Sequence, residues 1–229
     1  MIEIVIAIST GVAAFVATNL DDILILTILF SQTGKLFRRR DIVIGQYIGF
    51  ILLVMASLAG FFGCFLIPTP WIRYLGLVPV ILGIFSLLKE EEEEEPENVE
   101  VDLEGAKNSP FGGWFDSRTY SVAALTVANG SDNIGIYVPL FASSTVTSLI
   151  VIVSVFLILV GVWCAIAYGL TSVPTIATIL TSQGSTFVPC VLIGLGIFIV
   201  KESIPLTFLA LAISYLWANV DRGKGITRK

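Results

Sequence analysis

From Ile2 to Phe30 the chain is apolar, apart from Glu3 at its start, except for one interior break, Asn19-Leu20-Asp21-Asp22, and nothing else in the sequence limits its fold so tightly. A helix that crosses a bilayer needs about 20 apolar residues, and this run supplies them. The two aspartates inside it are costly, because a carboxylate at the centre of such a helix loses about 3 kcal/mol on insertion scales. A second run, Tyr120 to Ala142, is interrupted in the same manner by Asn129-Gly130-Ser131-Asp132-Asn133. Neither run contains a Lys or Arg to offset Asp21, Asp22 or Asp132. Carboxylates so placed persist when they are protonated, line water or hold a cation, and each of these points to ion or proton handling.

Five further apolar stretches are spaced along the chain: Ile42 to Ile67, Trp71 to Leu88, Leu149 to Leu170, Phe187 to Val200 and Ile204 to Val220. The last two are short, and Lys201-Glu202 between them suits an interface turn or a snorkelling lysine. The expected fold is therefore an all-α polytopic membrane protein with six core transmembrane helices and a short seventh. Composition agrees: 55% of residues are apolar and 14% charged, against about 45–50% and about 25% in soluble domains. A water-exposed enzyme is excluded on that ground. With 13 Lys+Arg against 18 Asp+Glu, there is no basic excess for nucleic acid. The first run has no basic n-region and is too long for a signal-peptide core, so it reads as a span.

Ten of the acidic residues fall between Glu90 and Glu104, beginning with the block Glu90 to Glu95. A block of like charge closed by Pro96 repels itself and reads as a solvated linker. Lys35, Arg38, Arg39 and Arg40 lie between the first two runs. Basic loops stay cytoplasmic, which puts the N-terminus outside and the acidic loop inside. The basic tail, Arg222 to Lys229, obeys the same rule only if the seventh helix forms. The domain reading is a transmembrane repeat A over 1–88, an acidic cytoplasmic loop over 89–118, a transmembrane repeat B over 119–202, and the extra helix with its basic tail over 203–229.

The two broken runs are related. With one inserted residue, Asn19 matches Asn129, Asp21 matches Asp132, Asp22 matches Asn133 and Phe30 matches Phe141. Leu82-Gly83-Ile84-Phe85 recurs as Leu195-Gly196-Ile197-Phe198, and a Lys-Glu pair follows each, Lys89-Glu90 and Lys201-Glu202. Three spans separate the copies, so the second runs through the membrane the opposite way. Two inverted three-helix repeats with a site at their interface are a transporter pattern.

Asp21, Asp22 and Asp132, with neutral oxygens from Asn19, Asn129, Ser131 and Asn133, make a hard-to-borderline divalent cation site. Thr18 and Thr126 add hydroxyls, Gly130 permits unwinding that frees carbonyls, and Pro139 removes a helix hydrogen bond. Gln46, between Gly45 and Gly49, either packs helices closely or supplies another oxygen. There is no histidine, so the site is built from oxygen, with thiol the only softer ligand. Cys64, Cys164 and Cys190 lie in separate runs without paired spacing and read as small buried apolar groups.

Ala17-Thr18-Asn19-Leu20-Asp21-Asp22, Gly45-Gln46-Tyr47-Ile48-Gly49-Phe50 and Ala128-Asn129-Gly130-Ser131-Asp132-Asn133-Ile134 resemble the motifs of the CadD-type cadmium resistance transporters, within the lysine exporter superfamily. The resemblance implies a bacterial inner-membrane efflux protein for Cd2+ or other divalent cations, with the two motifs forming the metal path. No Gly-x-x-x-x-Gly-Lys-[Ser/Thr] motif is present, so a proton gradient rather than ATP is the expected drive. The expected partners are the lipid bilayer and the transported cation, with no nucleic acid and no resident cofactor, and a homo-oligomer is allowed. The alternatives are a manganese or calcium/proton exchanger and an exporter of a cationic amino acid. From a different class come a membrane-embedded aspartyl enzyme and a metal-sensing protein using the acidic loop.

Overall fold

The computed structural model describes residues 2–34, 36–64, 73–88, 116–172 and 191–199, and these are helical with short connections. In chain order the helices are α1 (Ile2–Thr18), α2 (Asp22–Ser31), α3 (Arg39–Cys64), α4 (Leu77–Leu88, entered through a 3-10 turn at Arg73–Gly76), α5 (Ser117–Asn129), α6 (Ile134–Ala142), α7 (Val146–Leu170) and α8 (191–199). The Glu90 to Glu95 block, Lys201-Glu202 and the stretch Ile204 to Val220 lie outside the described residues.

By length and apolar composition two described helices can cross a membrane, over Arg39–Ala59 and Val146–Leu170. The pair α1 and α2 makes a third if taken as one span, bent by 64° at the Asn19 to Asp21 break. The second interrupted run also divides, into α5 and α6, at residues 130–133. Arg39 and Arg40 stand in the first turn of α3 rather than in the preceding loop. Asp41 allows this: its carboxylate accepts the Arg38 backbone N–H at 3.2 Å, closing the helix start, and lies 3.7 Å from the Arg40 guanidinium. Arg39 in turn lies 4.3 Å over the ring of Tyr168, at the far end of α7. The third run becomes a helix of 12 residues. Pro79 sits in its first turn, where a missing N–H costs nothing.

The two most extensive helix pairings are α3 with α5 and α1 with α7. Each pair is parallel. Gly45 faces Thr119 and Val122, and Gly49 faces Ala123 and Thr126, so α3 and α5 advance together. Glu3 accepts from Thr145 Oγ1 at 2.7 Å, Gly11 faces Ile152, and Phe15 meets Trp163 edge-on with centroids 5.2 Å apart. The N-terminus and the 143–145 turn are thus at one end of the molecule. Arg39 and Tyr168 are at the other.

The glycines of α3 are required by this closeness. A Cβ on Gly45 would lie 2.7 Å from the Thr119 carbonyl oxygen, and one on Gly49 would lie 2.7 Å from that of Ala123. Small residues at such crossings let backbones touch. The helices meet around an aromatic core of Phe15, Phe50, Tyr137, Phe141 and Phe156, all buried. Their outer faces are apolar too: Ile4, Val5, Ile8 and Val12 on α1, Leu52 and Met55 on α3, and Ile150, Ile158 and Val162 on α7 are exposed. Patches of that kind and extent belong against lipid tails.

Candidate functional site

Each break is made by its own sequence. Asn19 donates its side-chain Nδ2 to the Phe15 carbonyl at 2.9 Å, the acceptor its own backbone N–H uses at 3.0 Å. A side chain that competes for helix acceptors favours termination. The chain restarts at Asp22, and a carboxylate suits the first turn of a helix. At the second break, Gly130 N–H closes α5 on Thr126 O at 2.9 Å, and Asn133 accepts from Tyr137 N–H at 2.8 Å to open α6. Gly130 has φ −88°, which any residue adopts. Its smallness serves packing instead, since a Cβ there would meet Leu53 of α3.

The two breaks meet. Asn129 Nδ2 donates to Asp22 Oδ1 at 2.6 Å and to Asp21 Oδ2 at 3.2 Å. Gln46 Nε2 of α3 donates to the second oxygen of Asp22 at 3.3 Å, while Gln46 Oε1 accepts from Thr126 Oγ1 at 2.7 Å. Asp22 is 5% exposed, and its carboxyl accepts from amides on two other helices. The orientation is notable. Ionised carboxylate oxygens only accept, so each amide turns its nitrogen towards them. In this arrangement the Asn129 amide group lies between the two carboxylates.

The other expected residues divide into two sets. Thr18 and Asn19 are buried, but on a separate network. Thr18 Oγ1 donates to Ala14 O at 2.9 Å and lies 2.8 Å from the Tyr137 hydroxyl, and Asn19 Nδ2 reaches that hydroxyl at 2.9 Å. Ser131 is exposed and turns back to Ala128 O at 2.9 Å. Asp132 is exposed, and Asn133 is buried without a side-chain capping bond. Among the described residues no three His, Cys, Asp or Glu side chains gather closely enough to hold a metal ion. The carboxylates brought closest together are therefore the adjacent pair, while Asp132 is exposed at the other break, near enough for its charge to act on both. Cys164 is buried and free, as expected of a small apolar filler, while Cys190 lies outside the described residues.

Two residues of this region carry no polar signal in the sequence. Tyr137 is fully buried in α6, and Trp163 lies in α7. Trp163 Nε1 donates at 2.7 Å to the Asn19 carbonyl, the very kind of oxygen that a broken helix frees. Aromatic residues in an apolar run read as core, and only their polar tips, reaching across chain distances of 118 and 144 residues, reveal otherwise.

A family model described as cadmium resistance transporter matches residues 15–211. No curated protein and no solved structure matches the chain.

Proposed function

The chain belongs to the cadmium resistance transporter family, and from that premise we propose that it is a secondary transporter exporting a divalent cation held between its two helix breaks. Asp21 and Asp22 supply the charge. Asn129 and Gln46 reach the same carboxylates, and Asn19, Ser131, Asp132 and Asn133 are assigned as further oxygen donors along the path. The observation that carries the reading is the reach of Asn129 from one break to both carboxylates of the other. Two adjacent carboxylates suit a divalent rather than a monovalent ion, and they repel anionic cargo.

The pairing of α1 with α7 and of α3 with α5 supports the inverted-repeat reading. A two-fold axis in the membrane plane exchanges the first broken helix with the second and the second span with the fifth, so it carries one of these pairs onto the other. The same pairings agree with an N-terminus and 143–145 turn outside and a basic Arg38 to Arg40 end inside. Coupling to protons follows from the chemistry of a carboxylate that exchanges metal for proton.

The test is a metal-tolerance panel of cadmium, zinc, manganese, calcium and cobalt in a sensitive bacterial host. Wild type should protect against at least one divalent ion. Asp22→Asn should lose that protection while remaining in the membrane, and Asp132→Asn should weaken it if Asp132 lies on the path. Full protection by Asp22→Asn would refute the site. Export of labelled lysine without metal export would favour the amino-acid reading.

A further inference from the structure

We infer that Asn129 is the group a cation replaces: its amide nitrogen competes with the ion for the oxygens of Asp21 and Asp22, so an ion bound by both displaces it. The inference rests on the cation site proposed above, and it gives Asn129 the opposite part from an oxygen ligand. Nδ2 lies 2.6 Å from Asp22 Oδ1 and 3.2 Å from Asp21 Oδ2. An amide nitrogen carries two hydrogens and accepts nothing, so one N–H serves each carboxylate. A cation of calcium's size takes its oxygens at about 2.3–2.6 Å. One ion shared by these two oxygens meets the same nitrogen and both of its hydrogens, which repel it. Amide and ion therefore exclude each other at this pair of atoms.

The second donor to Asp22 is not placed to give way. Gln46 Nε2 donates to Asp22 Oδ2 at 3.3 Å, and Gln46 Oε1 accepts from Thr126 Oγ1 at 2.7 Å. Gln46 is buried within α3, so its amide is held on both sides. Asn129 differs in each respect. It is only half-buried, and it is the last residue of α5, where the helix ends at Gly130. It also joins unlike partners, since Asp21 is exposed and Asp22 is buried. An ion that arrives at Asp21 gains Asp22 as Asn129 withdraws. The two hydrogen bonds given up are the ones that tie α5, before the second break, to the start of α2, after the first. Loading the site thus trades a tie between the two breaks for an ion held by one of them, and release restores the tie.

The sign of one substitution tests this. The experiment is direct Cd2+ binding by the full chain in lipid nanodiscs, together with thermal melting of the metal-free protein. Asn129→Ala removes the competing N–H groups. It should tighten Cd2+ binding by about ten- to hundredfold, the equivalent of one hydrogen bond to a charged group. The melting temperature of the metal-free protein should fall, because the carboxylates lose a donor. An oxygen ligand behaves in the opposite way, since its loss weakens binding. A purely structural role lowers the melting temperature without tightening Cd2+ binding. Unchanged or weaker binding by Asn129→Ala overturns the inference.

Asp22→Asn separates this failure from that of the site. If Asp22→Asn loses binding and Asn129→Ala is no tighter than wild type, the role of Asn129 is overturned and the site stands. If Asp22→Asn binds as wild type does, the site itself fails and the inference with it. Should Asn129→Ala not reach the membrane, Asn129→Val decides. It also lacks the amide, and it should bind Cd2+ more tightly than wild type. Unchanged or weaker binding there overturns the inference.

Discussion

At the scale of single residues, the polar groups within the helices are nearly all paired, and the pairing decides what each substitution costs. Among the described residues the only buried side-chain polar atom without a partner is Thr33 Oγ1, away from the breaks. Gln46 is the more exacting case. Its nitrogen serves Asp22 and its oxygen takes the proton of Thr126. Gln46→Leu leaves Asp22 with fewer donors, and a buried acceptor so deprived loses about 1–3 kcal/mol. Thr126 loses less, because its hydroxyl already has Val122 O at 2.9 Å. Thermal melting of Gln46→Leu and Thr126→Val in the same detergent should therefore rank Gln46→Leu as the more destabilised. The sequence makes Asn19, Asp21, Asp22 and Asn129 legible as polar intruders in apolar runs. It leaves the sense of the amides illegible. Asn129 reads as an oxygen donor, yet it presents nitrogen, because that depends on which neighbour it meets across 107 residues of chain.

At the scale of helices, α3 owes its position to two glycines. Gly45→Ala and Gly49→Ala each drive a methyl against a backbone oxygen of α5 that cannot step aside, and overpacking of this kind costs about 1–3 kcal/mol. Gly169→Ala in α7 meets nothing within 4 Å and should not destabilise. A comparison of the three melting temperatures checks this directly. Lower melting for Gly169→Ala than for Gly49→Ala would contradict the packing. The elements were largely legible in the sequence. The long apolar stretches place α3 and α7 within a few residues of their ends, and the motifs Asn19 to Asp22 and Asn129 to Asn133 mark where the two other runs divide. What hydropathy could not give is the 64° bend between α1 and α2. The neighbours that meet the end of α1, Trp163 at the Asn19 carbonyl and Tyr137 at the Thr18 and Asn19 side chains, come from distant segments that hydropathy does not identify.

At the scale of the whole molecule, the main interfaces join the front of the chain to its back. α1 lies on α7 and α3 lies on α5, so among the described residues α1 and α3 are covered mainly by helices from beyond residue 116. The chain cut within residues 89–115 should give two fragments that confer no metal tolerance singly and recover it when expressed together. Tolerance from the first fragment alone would show that the interface between halves is dispensable. The matched motifs read as a repeat in the sequence, but the pairing of α1 with α7 and of α3 with α5 does not, since periodicity within a segment says nothing of which distant segment it will face.

The meeting of Asp22 with Asn129 also has a history within each molecule's synthesis. The two are 107 residues apart in the chain, and at about 5–20 residues per second a ribosome needs roughly 5–20 s to travel between them. For that interval the carboxylates of the first break enter the bilayer with neither Asn129 nor the α5 surface to receive them. The nascent half must wait with its most expensive groups unsheltered, beside Gln46 and whatever water follows them. A product that stops before residue 129 lacks the amide that donates to both Asp21 and Asp22, and Gln46 alone is left to serve the buried carboxyl.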